Sequence, residues 1–480
     1  MDPKTFRSLG HRLVDWIADY RERIEELPVM AAVEPGAIRR RFPAEPPRAG
    51  GGVPAALAAL DRDLLPGITH WNHPSFFAYF PSNSDLASVL GDLLCAGLGA
   101  QGMSWQTSPA ATELEDVVME WLRQMLGLSG AWSGVIQDTA STATLCALLC
   151  ARERRSSHAQ EREGLQSGEA PLVVYASDQA HSSIEKAALL AGLGRAHLRL
   201  VETDAAHALR LDLLQAAIEE DLEAGRRPCA IVGAVGTTAT TAFDPIAGMA
   251  ALAERHRLWL HVDAAMAGTA MVLPECRALW EGVERADSVV LNPHKWMGVG
   301  FDLSAYFVRD PETLVRVMST NPSYLRTAQD GAVRNLRDWG IPLGRRFRAL
   351  KLWLYLLDVG VEGLQARLRR DLANARWLEE QVREAPGWEL LAPVALQTVC
   401  LRHLPPGVAG NEAITRHNLA IAARVNGSGR AYVTPSVLKG RQMIRVSIGA
   451  EGTERRHVEG VWSALRSAAS AITANRDRAE

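Results

Sequence analysis

Along the first two dozen residues the hydrophobic positions recur at helical spacing. Phe6, Leu9, Leu13, Trp16, Ile17, Tyr20 and Ile24 fall on one stripe. Asp2 supplies a cap, and Pro3 a first-turn residue whose missing N–H costs nothing. The stripe predicts a helix that must cover its apolar face, with this chain or with a second subunit. Residues 35–54, rich in Pro, Gly and Arg, predict an extended linker, and residues 57–65 a short helix. Residues 70–82 are dense in aromatics and suit either an anchor between segments or the wall of a pocket.

Beyond Asp85 helical and extended periods alternate. Residues 86–97 read as a small-residue helix, and Ser108-Pro109 opens another that runs to Gly127. The apolar run 134–137 predicts a strand, followed by Asp138-Thr-Ala-Ser-Thr142 and an apolar helix over 143–151. Residues 153–170 are charged and read as a surface excursion. Strands are expected at 172–176, 197–201, 230–235, 258–262, 288–291 and 304–308, and helices at 183–192, 211–224 and 245–256. Such alternation predicts right-handed crossovers and a mostly parallel sheet. Residues 319–340 carry Pro322, Gly331 and Gly340 and read as a loop. Helices from Phe347 onward and at 363–384, 414–425 and 454–474, with strands at 388–391, 397–401 and 443–447, predict a separate α+β domain.

Composition narrows the class. A chain of 480 residues with 47% hydrophobic and 22% charged residues is an ordinary globular protein with room for a large core. Its net charge of −3 gives no electrostatic reason to expect nucleic acid or an anionic membrane as partner. The N-terminus lacks a signal peptide's apolar core, and no apolar run is long enough to span a bilayer. The six cysteines show no Cys-x-x-Cys spacing and fit buried reduced thiols in a cytoplasmic protein; Cys146 and Cys150, four apart, fit core packing better than a metal pair.

Candidate chemistry gathers where the strands end. Pro293 stops the strand 288–291, and the turn delivers His294 and Lys295 at the carboxyl end of the sheet, where open α/β sheets place ligands. An ammonium desolvated there loses proton affinity and becomes a nucleophile towards carbonyls. The aldehyde of pyridoxal 5'-phosphate (PLP) is the matching electrophile. It requires a Schiff-base lysine, a carboxylate on the pyridine nitrogen and a phosphate cradle. Asp263 ends another strand and suits the pyridine nitrogen, and His181, at a third strand end, could stack on the ring. Thr139, Ala140, Ser141 and Asn292 could hold the phosphate, since a helix start offers free N–H groups.

These residues also resemble a known family, the group II PLP-dependent amino acid decarboxylases, and within it the aromatic-L-amino-acid decarboxylases. The matching stretches are His73-Pro-Ser-Phe-Phe-Ala-Tyr-Phe-Pro81, Ser177-Asp-Gln-Ala-His-Ser-Ser183, His261-Val-Asp-Ala-Ala265, Asn292-Pro-His-Lys-Trp296 and Ile341-Pro-Leu-Gly-Arg-Arg-Phe-Arg348. The resemblance implies the α/β fold of PLP enzymes of fold type I, aspartate aminotransferase-like. Its parts would be an N-terminal helical segment (1–84) wrapping a partner subunit, a PLP-binding domain (85–345) and a small α+β domain (346–480). It implies a homodimer with shared active sites. Lys295 would be the Schiff-base lysine, Asp263 the pyridinium partner and His181 the stacking histidine, with Ala140, Ser141, Thr237, Ala265, Asn292 and His294 as further cofactor contacts. Trp71, Phe80, Pro81, Ser82, Met103 and Gly344 would line the substrate pocket. In the family, Gly at the position of Gly344 goes with indole and catechol substrates, and Ser with histidine decarboxylases and plant tyrosine decarboxylases. Tyr324 would match the family's loop tyrosine, which delivers a proton to Cα and is Phe in the aldehyde synthases.

Two departures stand out. Asp138 and Thr139 replace the Gly and Ser that animal members carry beside the phosphate loop, and Asp138 is expected to cap the following helix rather than touch phosphate. Gln101 and Met103 stand where animal members have larger or more apolar groups near the substrate ring. The reading is a decarboxylase of an aromatic L-amino acid (dopa, 5-hydroxytryptophan, tryptophan or tyrosine). The alternatives are an aldehyde synthase, a glutamate or histidine decarboxylase, or a non-enzymatic relative. Retention of Lys295, Asp263 and His181 together argues against the last.

Overall fold

A computed structural model describes the chain apart from residues 51, 160–162, 167–169, 321, 323, 324, 326–328, 330 and 478–480. Helices α1 (Pro3–Glu22), α2 (Val53–Ala59), α3 (Leu86–Leu98) and α4 (Pro109–Met125) precede strand β1 (Ser133–Gln137) and helix α5 (Ala140–Arg155). An alternating run follows: β2 (Leu172–Ser177), α6 (Ser182–Leu190), β3 (Leu198–Val201), α7 (Leu211–Glu223), β4 (Arg227–Ala234), α8 (Ile246–His256), β5 (Trp259–Asp263), β6 (Ser288–Leu291) and β7 (Ser304–Val308). The remainder is α9 (Pro311–Met318), α10 (Ala349–Glu384), β8 (Trp388–Leu390), β9 (Thr398–His403), α11 (Asn411–Gly427), β10 (Thr434–Leu438), β11 (Arg441–Ser447) and α12 (Arg455–Asp477).

Two compact units emerge. One comprises Ser82–Ala373 with Ala392–Thr398; the other comprises Met1–Pro81, Asn374–Leu391 and Val399–Glu480. Compactness thus joins the N-terminal residues to the C-terminal region, and the dividing point lies within α10 rather than near residue 345.

The larger unit is built on a seven-stranded sheet of order β1-β7-β6-β5-β4-β2-β3. Neighbours from β6 to β3 are parallel, whereas β7 runs antiparallel to both β6 and β1. Every residue of β2, β5 and β6 is buried, which is why these strands are mostly apolar and lack an alternation of apolar and exposed polar positions. Helix α5 packs across β4 to β7, and α8 lies on β4 and β5. Cys146, Ala147, Cys150 and Ala151 of α5 share a core with Val174, Val232 and Val290, so the two cysteines serve packing. Burial pushes the Cys146 thiol up to about 12.

The smaller unit holds an antiparallel pair of hairpin strands, β10 and β11, within a four-stranded sheet of order β10-β11-β9-β8. Its Phe76–Ala78 stretch is fully buried: the Phe77 N–H donates to Tyr432 O at 2.9 Å, and Ser447 N–H donates to Phe77 O at 2.9 Å. That part of the 70–82 aromatics is therefore an anchor. The stripe on α1 behaves differently. Asp2 caps the helix as expected, accepting from Lys4 N at 2.9 Å, but α1 has no buried residue and Phe6 is 61% exposed. Among the described residues no helix is long and apolar enough to cross a membrane.

Candidate active site

The carboxyl ends of β1, β2, β4, β5 and β6 open on one edge of the large sheet, because β7, which separates β1 from β6, runs opposite to both. Parallel pairing between β5 and β6 continues past their ends: Ala264 N–H donates to Val290 O at 2.9 Å, and Asn292 N–H to Ala265 O at 2.8 Å. That ladder fixes Asp263 beside the turn that carries Lys295. Asp263 is only 8% exposed; its Oδ1 accepts from Ala265 N at 3.1 Å, and Oδ2 has no protein donor among the described residues. A buried carboxylate with a free oxygen calls for a cationic partner.

His181 caps α6. Its Nδ1 accepts from Ser183 N at 3.1 Å and Ser183 Oγ at 2.8 Å, which leaves the ring proton of the neutral form on Nε2. Surrounding protein draws its pKa below the ordinary imidazole value; Asp263 acts against that shift and Lys295 adds to it. His181 therefore lies within electrostatic reach of both Asp263 and Lys295.

The start of α5 offers a cradle of backbone N–H groups. Thr139, not Asp138, is the N-cap: Thr142 N donates to its Oγ1 at 3.4 Å. Asp138 lies one residue outside the helix, where its Oδ1 accepts the Thr139 N–H at 2.7 Å, so the cap expected of it goes to its neighbour. Thr139 is the extended residue whose hydroxyl can reach back over the first turn. The N–H groups of Ala140 and Ser141 have no acceptor among the described residues, and anions bind such helix starts.

Other expected contacts are engaged elsewhere in the protein. Thr237 Oγ1 accepts from Ala242 N at 3.1 Å and lies 3.0 Å from Thr240 Oγ1, closing a turn after β4. Asn292 Oδ1 accepts from Ser304 Oγ. His294 places Nδ1 2.7 Å from Leu303 O, and burial pushes its pKa down to about 4. Ser82 directs its Oγ to His294 O at 3.1 Å. Gly344 sits beside Gln101: a Cβ there would meet Gln101 Nε2 at 3.4 Å. Met103 O accepts from Arg337 N at 2.8 Å. In the smaller unit Trp71 stacks on Tyr79 at 5.7 Å, and Phe80 lies under the Arg445 guanidinium at 4.2 Å, preceding Pro81. Tyr324 lies outside the described residues.

Sequence reasoning missed two supports. Glu115, buried in α4, accepts from Arg345 Nη2 at 2.6 Å and from Ile136 N at 2.8 Å, while Arg345 also donates to Ile136 O at 2.9 Å. The pair grips β1 just before Asp138, and nothing in the spacing of two residues so far apart announces it. Asn83 donates Nδ2 to Lys295 O at 2.9 Å. The polar run Ser82-Asn-Ser-Asp85 after the aromatics was its only signal.

His261, fully buried in β5, lies with Nδ1 2.9 Å from Ser288 Oγ; burial pushes its pKa down to about 4, opposed by Asp263. An unfolded imidazole titrates near ~6.5. The folded form therefore binds fewer protons, and its share of stability, present above ~6.5, is lost as pH falls towards ~4. At ~1.4 kcal/mol per unit the loss amounts to roughly 3 kcal/mol. The stability advantage of the parent over His261→Asn should shrink by that order across this window in urea unfolding. An advantage constant with pH would refute the assignment of a neutral, proton-poor His261.

The pyridoxal-dependent decarboxylase conserved domain matches residues 35–404. The chain is 41% identical to phenylacetaldehyde synthase of Arabidopsis thaliana, over 98% of this chain and 97% of that one. It is 40% identical to tryptophan decarboxylase 2 of Oryza sativa subsp. japonica, over 98% and 96%. The solved structure of Oryza sativa TDC with PLP and tryptamine superposes with a TM-score of 0.95 at 36% identity, covering 98% of this chain and 99% of the other. The buried Asp263 carboxylate, the N–H groups at the start of α5 and the lysine turn suit PLP, and the chain belongs to the pyridoxal-dependent decarboxylase family as a PLP-dependent carboxy-lyase of fold type I.

Proposed function

We propose that this protein decarboxylates an aromatic L-amino acid to the corresponding amine. The observation that carries the reading is the convergence of Lys295, Asp263 and His181 at one sheet edge, beside the open start of α5. PLP supplies an electron sink for the pair left when the Cα–carboxyl bond breaks. Lys295 would hold the cofactor through its amine. Asp263 Oδ2 would keep a proton on the pyridine nitrogen, since an adjacent negative charge favours the cationic form. His181 would pack against the ring. The Ala140 and Ser141 N–H groups, with the Thr139 and Asn292 side chains, would hold the phosphate. The relatives named for tryptophan and phenylacetaldehyde support an aromatic side chain, and Gly344 leaves space for one. Ser82 and Met103 are the further substrate contacts proposed within the larger unit. The buried cysteines support a reducing, cytoplasmic setting.

The parent should show a visible absorption band with PLP and release CO2 from dopa, tryptophan, 5-hydroxytryptophan or tyrosine with kcat/KM at least ~10-fold above that for glutamate or histidine, a difference of ~1.4 kcal/mol at the transition state. Lys295→Ala should lose both band and turnover. Turnover in that variant, or glutamate preferred over every aromatic, would end the reading.

Tyr324 decides between amine and aldehyde in this proposal, and the identity to an aldehyde synthase makes the choice a live one. Its phenol returns a proton to Cα before oxygen can react there. Tyr324→Phe is expected to keep CO2 release while diverting most product to aldehyde, ammonia and peroxide under air. An unchanged amine yield without peroxide would remove Tyr324 as donor.

We also propose a homodimer with shared active sites. Leu86, Leu90, Leu93, Leu94 and Leu98 of α3 are all exposed in the single chain, as are Phe6, Leu13 and Val14 of α1. Contiguous apolar faces of this kind mark association sites. Sedimentation at micromolar concentration should find a dimer; an active monomer would contradict it.

A further inference from the structure

The turn that presents Lys295 is splinted along its length by one short stretch of the same unit. Ser82 Oγ donates to His294 O at 3.1 Å, Asn83 Nδ2 to Lys295 O at 2.9 Å and Asp85 N to Gly298 O at 2.9 Å, while Gly300 N donates to Ser88 Oγ at 2.9 Å. Residues Pro293–Met297 wind as a wide helical turn, but Lys295 departs from it with φ −102° and ψ −113°. The Lys295 carbonyl accepts from outside the turn, and a shielded carbonyl gains free energy from such a donor. Asn83, 1% exposed, supplies one through its carboxamide.

We propose that Asn83 is a positioning residue for Lys295: by holding the lysine's carbonyl it fixes the peptide plane, and with it the direction in which the side chain leaves the backbone. The proposal rests on Lys295 being the lysine that binds PLP. In this role Asn83 acts on Lys295 through the backbone carbonyl it holds. A misdirected Lys295 would meet the cofactor aldehyde in poorer geometry. Loss of the carboxamide would then register in cofactor affinity and in the proton affinity of the lysine–cofactor linkage, even where the fold is intact.

The test compares full-length parent, Asn83→Leu, which keeps the branched outline but has no donor, and Asn83→Ala, each titrated with PLP. We expect PLP to bind at least 10-fold more weakly to both variants and the pH midpoint of the visible band to move by half a unit or more, with the cofactor-free proteins unfolding at the parental temperature. Parental affinity and an unmoved midpoint in either folded variant would overturn the proposal. So would a fall in unfolding temperature with the band unaltered, which would make Asn83 a purely structural residue. A parent that binds PLP without any visible band would instead overturn the role of Lys295 itself, a failure the parent registers before any Asn83 variant is made.

Discussion

The parallel ladder between β5 and β6 is the constraint on which the site depends. Two backbone hydrogen bonds beyond the strands, from Ala264 to Val290 and from Asn292 to Ala265, set the register in which Asp263 and the Lys295 turn lie side by side. In a parallel pair a one-residue slip would turn every side chain to the other face. Both strands are buried throughout, so such a slip would part buried His261 from Ser288 as well as scatter the site. The apolar runs that make the strands thus also fix the relative position of the charged groups at their ends.

Around that ladder burial disfavours charge on the imidazoles. His261 and His294 are pushed down to about 4 by burial, and His181 is shifted the same way. A site that must hold an anionic phosphate, a carboxylate and a lysine gains definition when its histidines add no further cations near neutral pH. Each imidazole has a fixed backbone or hydroxyl partner: His261 has Ser288, His294 has Leu303 and His181 has Ser183. Their rings are consequently oriented by neighbours that do not titrate in that range.

Much of this was legible in sequence because the relevant signals are local. Buried parallel strands read as short β-branched runs, Pro293 marks the end of β6, and Ser108-Pro109 and Asp85 mark helix starts that the structure reproduces. Strand β10 escaped notice because Pro435 interrupts its pattern; the strand tolerates proline because it lies at the edge of its sheet. The Asp138-Thr139 pair offered two adjacent capping residues, and only the backbone dihedrals decide between them. Glu115 with Arg345 and Asn83 with Lys295 join residues more than 200 positions apart, and no single-chain periodicity encodes such pairings. The apolar stripe of α1 was visible, but what covers it was not, since an amphipathic face specifies only that a partner is needed.

The antiparallel course of β7 has a consequence for motion. Because β7 returns alongside β6, the segment from Asn292 to Leu303 is a loop closed at both ends by the same sheet, with Leu291 paired to Ala305 just inside it. A crossover to a parallel neighbour would have needed a much longer excursion. The lysine therefore rides on a tip with little slack, tied across its mouth by the ring of His294 to Leu303. Movement of the Lys295 amine is then left to the bonds of its own side chain, with the backbone on either side tied to the sheet.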